Sequence, residues 1–237
     1  MEDIFENRLN VLENNTDNFT DWLYSLIKPH VKGDVIEVSS GVGTYSKKLI
    51  KDFPNSKITL TEISETLLKH LQILKNTNVS LYKLDLNNLQ DFKNIGYDKM
   101  DTIVCSNVLE HIEKDEFALS QFFNLLKNNG NLLLLVPNNP SLYGKADKKL
   151  GHFRRYTKDE IIEKATKSGF CVKHIQYFNV IGTIGWKITK QTNKSEHDTK
   201  LLRLYNSFIP LMKNFDDLLS KKFSGLSIFT VLEKNNT

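Results

Sequence analysis

The chain predicts an α/β fold in which a doubly wound, mostly parallel sheet carries helices on both faces. Three observations lead there. Short β-branched or leucine-rich runs alternate with segments whose apolar residues recur at helical spacing. The first of these runs breaks into a glycine-rich turn and passes straight into a helical pattern. The run at 100–105 is almost continuously apolar, as a strand covered on both sides should be.

The elements follow in order. Phe19, Trp22, Leu23, Leu26 and Ile27 recur at three- and four-residue steps and predict a helix that ends before Pro29. Residues 34–38 form the first strand, 41–43 a Gly-Val-Gly turn, and 45–52 a helix. Strands follow at 57–61, 79–84, 100–105 and 131–136, with helices at 64–74 and 115–126, the latter stopped by Asn128-Asn129-Gly130. Segment 138–156 mixes turn residues, basic residues and aromatics without a period and reads as a substrate loop. Thr157 and Glu160 form a capping box for a helix over 157–168, stopped at Gly169. A sixth strand at 171–177, helices at 181–189 and 201–222, and a seventh strand at 226–232 complete the chain; the polar stretch 191–200 reads as a mobile loop.

Composition removes several function classes. The 237 residues are 40% hydrophobic and 25% charged, which excludes a mostly disordered or fibrous chain. The longest apolar run, 132–136, is far short of the roughly 20 residues of a membrane span. The acidic start, Met1-Glu-Asp-Ile-Phe-Glu, lacks the basic-then-apolar pattern of a secretion signal, so a cytoplasmic location is expected. Cys105 and Cys171 read as two buried, reduced thiols. A net charge of +4 is too small and too diffuse for a dedicated nucleic-acid binder, which makes a polynucleotide an unexpected partner.

The chemistry concentrates at the strand ends. Gly41 and Gly43 let backbone approach a ligand beside a helix N-terminus. Glu37 precedes the turn, Glu62 ends the second strand and suits a ribose diol, and Asp85 ends the third, where it suits the exocyclic amine of a base. A nicotinamide-dinucleotide fingerprint would need Gly or Ala at position 46, where Ser46 stands.

This order of motifs, from about residue 18 to 170, resembles the class I S-adenosylmethionine-dependent methyltransferases. Their signature of an acid followed by alternating glycines is similar to Glu37-Val-Ser-Ser-Gly-Val-Gly, with Ser39 where a first glycine is usual, an exchange that suits a negative φ at Ser39. The resemblance implies a Rossmann-like seven-stranded sheet whose last strand inserts antiparallel. It implies S-adenosylmethionine as donor and S-adenosylhomocysteine as product. It places Glu37, Ser39, Gly41, Gly43, Glu62, Ile63, Asp85, Leu86, Asn107 and Val108 around the donor, with Leu84 beside the adenine. Segments 137–147 and 151–156 look like a subgroup that methylates quinone precursors, sugars and other hydroxylated small molecules.

On that reading His152 and His111 are the candidate proton acceptors, since imidazole titrates in the useful range. Arg154 and Arg155 are half of the arginines in a lysine-rich chain. They would clamp an anionic acceptor as a fork, or else pin the loop through an acid such as Asp147 or Asp159. Tyr143 and Tyr156 would shape the acceptor pocket. Phe19 and Trp22 either roof the donor or pack the core. Methyl transfer to oxygen, before nitrogen, is expected, with no metal, because no His/Asp cluster shows ligand spacing. The expected organisation is one domain over 1–237, with a helical lid at 1–33 and substrate-side insertions at 138–156 and 178–224. A nucleic-acid methyltransferase and a catalytically silent donor-binding scaffold are the alternatives.

Overall fold

A computed structural model describes residues 15–189 and 199–235. Its centre is a seven-stranded sheet made of β1 (Val35–Val38), β2 (Ile58–Glu62), β3 (Val79–Lys83), β4 (Met100–Ser106), β5 (Leu126–Pro137), β6 (Phe170–Phe178) and β7 (Ser227–Lys234). The spatial order is β3-β2-β1-β4-β5-β7-β6. Strands β1 to β5 pair in parallel, and β7 inserts antiparallel between β5 and β6. This is the predicted sheet. The strand order reverses between β1 and β4, so successive crossovers diverge there and leave a crevice beyond the carboxyl ends of those two strands.

Alternation along the central strands assigns each residue to one of two cores. Ile36, Val38, Ile103, Cys105, Leu132 and Leu134 face Phe92, Phe122, Leu125 and Ile161. These come from α4 (Leu89–Ile95), α5 (Asp115–Leu125) and α7 (Lys158–Lys167). Val35, Val104, Leu133 and Leu135 face Trp22, Leu23, Leu49, Leu71, Ile209 and Met212 on the other side. Those come from α1 (Asp17–Ile27), α2 (Thr44–Asp52), α3 (Glu65–Leu71) and α9 (Thr199–Leu219). Each side chain in these sets is at most 8% exposed, so the sheet is sealed on both faces and functional groups are confined to its edges and strand ends.

Local signals account for several boundaries. Ser64 caps α3 through Leu67 N–H at 3.3 Å. Thr157 and Glu160 form the expected capping box, with Thr157 N–H donating to Glu160 at 2.6 Å and Glu160 N–H to Thr157 Oγ1 at 3.2 Å. Other expectations are corrected. Helix α5 ends at Leu125, and Asn128-Asn129-Gly130 lies inside β5, where the register against β4 shifts between Met100 and Thr102. Cys171 is exposed on the edge strand β6, whereas Cys105 is buried. Helix α4 and the short α6 (Lys145–Leu150) had no clear period, and α4 buries only Phe92 and Ile95. The loop expected at 191–200 falls mostly outside the described residues. Helix α8 (Val180–Thr189) is joined to α9 by Asp216, which accepts the N–H groups of Asn179 and Val180 at 2.8 and 2.7 Å. No helix among the described residues is long and apolar enough to cross a membrane.

Candidate active site

A cavity of about 700 Å³ opens at the β1/β4 reversal. Its floor is the turn after β1. Ser39, Gly41 and Gly43 have φ of 55°, 57° and 85°, three left-handed residues in five, which swing the chain from strand to helix and turn backbone toward the cavity. The φ at Ser39 is therefore positive, against expectation; a residue with a Cβ occupies a conformation in which glycine is unstrained.

Glu62 fixes this turn. One carboxylate oxygen accepts Gly41 N–H at 2.9 Å, and the other accepts Ile63 N–H at 2.8 Å and Ser64 N–H at 3.3 Å. The end of β2 and the glycine turn thus form one rigid corner of the cavity wall. Glu37 lies beneath it, 4% exposed, and accepts from the Ser46 hydroxyl. Burial pushes its carboxyl up to about 7, against the opposing pull of the Ser46 and Ser40 hydroxyls. Asp85 accepts from Asn87 N–H at 2.8 Å, which orients it at the end of β3.

Of the ten residues expected around a donor, nine line the cavity: Glu37, Ser39, Gly41, Glu62, Ile63, Asp85, Leu86, Asn107 and Val108. Gly43 does not. It caps α2, and a Cβ there would come within 3.0 Å of Leu74 and 3.1 Å of Leu71, so its role is close helix packing. Phe19 lines the cavity together with Tyr205 of α9, their rings 6.1 Å apart, whereas Trp22 packs on Phe178 at 4.4 Å in the core. The two aromatics of α1 divide between roof and core. Asn206 holds the roof closed by accepting Phe19 N–H at 3.0 Å and, through its backbone oxygen, the Asn18 amide at 3.1 Å.

On the acceptor side the arginines take the second of their two expected roles, pairing with acids of the chain, Asp147 among them. Arg155 is 4% exposed; its Nε donates to Asp147 at 2.8 Å, its Nη1 to Asn138 O at 3.2 Å, and its guanidinium lies 4.5 Å over the Trp186 ring. Arg154 pairs with Asp115 at 2.7 Å and donates to Glu113 O at 2.8 Å. Tyr156 is 1% exposed, and its hydroxyl donates to Asp115 at 3.0 Å. Tyr143 donates to His152 O at 2.8 Å. None of these four lines the cavity; acids and carbonyls of the chain satisfy them, and these contacts fix the loop. Burial works to raise Asp115, yet Lys164, Arg154 and Tyr156 hold it below the usual carboxylate range. Asp147 is held low in the same way, by His152 and Arg155.

The two histidines do come together. His111 lines the cavity, and His152 stands edge-on behind it with ring centroids 4.7 Å apart. His152 Nδ1 is 3.0 Å from Asp147. A third group was missed: Glu110, 1% exposed, with neither carboxylate oxygen hydrogen-bonded among the described residues. Burial pushes its carboxyl up to about 8. Glu110, His111 and His152 each bring a ligand-capable atom within 4.8 Å of the others, which overturns the expectation that no such cluster exists. The 40 residues between His111 and His152 left no spacing signal; only the adjacency of Glu110 to His111 was available in the sequence.

A glycine turn beneath a cavity at the sheet's reversal point, with acids ending β1, β2 and β3, fits a nucleoside carrying a cationic amino-acid arm. Fold and site together resemble those of the class I S-adenosylmethionine-dependent methyltransferases. Residues 36–132 match the family described as "Methyltransferase domain". Among curated proteins, the chain is similar to a probable polyketide synthase 42 of Dictyostelium discoideum, with 29% identity over 176 residues, 65% of this chain and 6% of that one. It is also similar to malonyl-[acyl-carrier protein] O-methyltransferase 1 of Ilyobacter polytropus, with 24% identity over 143 residues, 57% of this chain and 52% of that one. The chain therefore spans about half the length of the second relative and a small part of the first. A SAM-dependent methyltransferase from Archaeoglobus fulgidus has the same fold, with a TM-score of 0.60 and 19% identity, covering 91% of this chain and 93% of that one.

Proposed function

We propose that the protein moves the methyl group of S-adenosylmethionine to an oxygen, before a nitrogen, of a small hydroxylated acceptor such as a sugar or a phenolic quinone precursor. The observation that carries this reading is the single cavity in which Glu62, Asp85 and the Ser39–Gly41 turn lie at one end and His111 at another wall. Glu62 receives the ribose hydroxyls, Asp85 with Leu84 and Leu86 flanks the adenine, and Asn107 and Val108 underlie the methionine arm. The acceptor oxygen attacks the methyl carbon in line; an O–C bond forms as the C–S bond breaks, and that electron pair returns to sulfur as the neutral thioether of S-adenosylhomocysteine. The hydroxyl proton is given up at the His111–His152 pair. Alignment supplies most of the rate, because the sulfonium already activates the methyl group. The helical lid at 1–33 and the insertions at 138–156 and 178–224 are assigned to the same domain, and the cytoplasm is the proposed location.

Calorimetric titration with S-adenosylmethionine, followed by mass spectrometry of hydroxylated acceptors incubated with donor and protein, tests the reading. The expected result is saturable binding and an acceptor heavier by one methyl. Absence of donor binding at millimolar concentration would sink it, and binding without any transfer would favour a silent donor-binding scaffold. The relative named for malonyl-[acyl-carrier protein] favours a second reading, an acceptor tethered to a carrier protein, which the same mass assay separates by using acyl-carrier substrates.

A further inference from the structure

We propose that Glu110, His111 and His152 bind a divalent first-row transition cation at the wall of the donor cavity, and that this cation holds the acceptor oxygen. The three residues offer one ligand atom each, all within 4.8 Å of one another. Bonds of about 2.1 Å to an ion set neighbouring ligand atoms roughly 3 to 3.5 Å apart. Small side-chain rotations therefore close the set on an ion.

Two independent features point to a ligand. Glu110 is 1% exposed and has no hydrogen-bond partner for either oxygen among the described residues, although buried carboxylates are otherwise paired. His152 has the support that metal-bound imidazoles carry: its Nδ1 lies 3.0 Å from Asp147, which leaves Nε2 as the electron-pair donor. Asp147 is itself fixed by Arg155 Nε at 2.8 Å and Gly144 N–H at 2.9 Å. The loop chemistry that looked like an anion clamp is thus the rigid backing of one ligand.

Two imidazoles and one carboxylate select Zn²⁺, Fe²⁺, Co²⁺ or Mn²⁺ over Ca²⁺ and Mg²⁺, which take oxygen-rich sets. Three protein ligands leave coordination positions open, and His111 turns the site toward the cavity. The inference rests on the methyl-transfer reading. It refines the role of the histidines: they hold the ion, the coordinated hydroxyl is acidified, and its proton leaves to water.

The test titrates metal-stripped full-length protein with Co²⁺, read by visible absorption, with Zn²⁺ as competitor and a parallel calorimetric titration with S-adenosylmethionine. One Co²⁺ per chain is expected, displaced by Zn²⁺. Binding should weaken at least about tenfold in Glu110→Gln and in His152→Ala, and stay unchanged in His174→Ala, a histidine exposed on the edge strand. If Glu110→Gln fails to fold, His111→Gln carries the same expectation. The proposal is overturned if the wild-type chain takes up no stoichiometric Co²⁺, as a simply protonated Glu110 would give, or if the variants bind it as well as wild type does. Donor binding retained alongside such a result would leave the methyl-transfer reading standing; donor binding absent from the wild type would remove that reading by itself.

Discussion

Replacing Ser39 by glycine should stabilise the donor-free protein. Ser39 sits at φ 55°, where an L-residue costs about 1–2 kcal/mol through the approach of Cβ to the backbone. Glycine removes that cost but brings about 0.5–1 kcal/mol of extra unfolded-state freedom. The net gain is about 0.5–1 kcal/mol, which for a chain of this size raises Tm by roughly 1–4 °C. Thermal unfolding of Ser39→Gly against wild type, followed by circular dichroism without donor, measures it. Ser39→Ala is the control, because it removes the hydroxyl and keeps the Cβ. A Tm that falls or stays level in Ser39→Gly, or an equal rise in Ser39→Ala, refutes the strain argument.

Three further outcomes follow from the same geometry. Glu62→Gln should weaken S-adenosylmethionine binding by roughly 10- to 150-fold, as expected for charged hydrogen bonds of about 1.5–3 kcal/mol, with calorimetry as the check. Glu37 binds its proton more tightly folded than unfolded, since its carboxyl moves from 4.5 to about 7. The stability it contributes is therefore complete below pH 4.5 and lost as pH rises through about 7, and urea unfolding across this window should show a steeper decline in wild type than in Glu37→Gln. Arg155→Ala leaves Asp147 buried without its guanidinium and should cost about 3–5 kcal/mol in denaturant unfolding. Donor affinity should change little, because Arg155 is not part of the cavity wall.

What was legible in the sequence was local. Runs such as 100–105 name a doubly covered strand wherever they occur, and a glycine turn between strand and helix places acids at strand ends by geometry alone. Nine of the ten residues expected at a donor line the cavity, of which Leu86, Asn107 and Val108 were expected through the resemblance and not through geometry. The acceptor side depends on contacts across the fold. Arg154 and Tyr156 meet the Asp115 carboxylate from 39 and 41 positions along the chain, and no periodicity encodes such meetings. The arginine pair was conspicuous by composition, but composition could not say which way the guanidinium groups turned. Glu110 was invisible for a related reason: a carboxylate beside a histidine looks like an exposed turn until the sheet shows it sealed from water. The left-handed Ser39 was misjudged because tolerance of serine was argued from side-chain size, whereas the turn constrains the backbone.

The roof of the cavity comes from Phe19 and Tyr205, both outside the segment 36–132 that carries the family likeness. Glu37, Glu62, Asp85 and the glycine turn, the residues proposed to hold the nucleoside, lie inside that segment, while the cover joins two helices far apart in the chain. Dwell time of the donor can thus drift in evolution by exchanges at either helix, with the glycine corner and its acids left untouched. During synthesis the pocket gains its cover only once α9 has emerged and docked on α1.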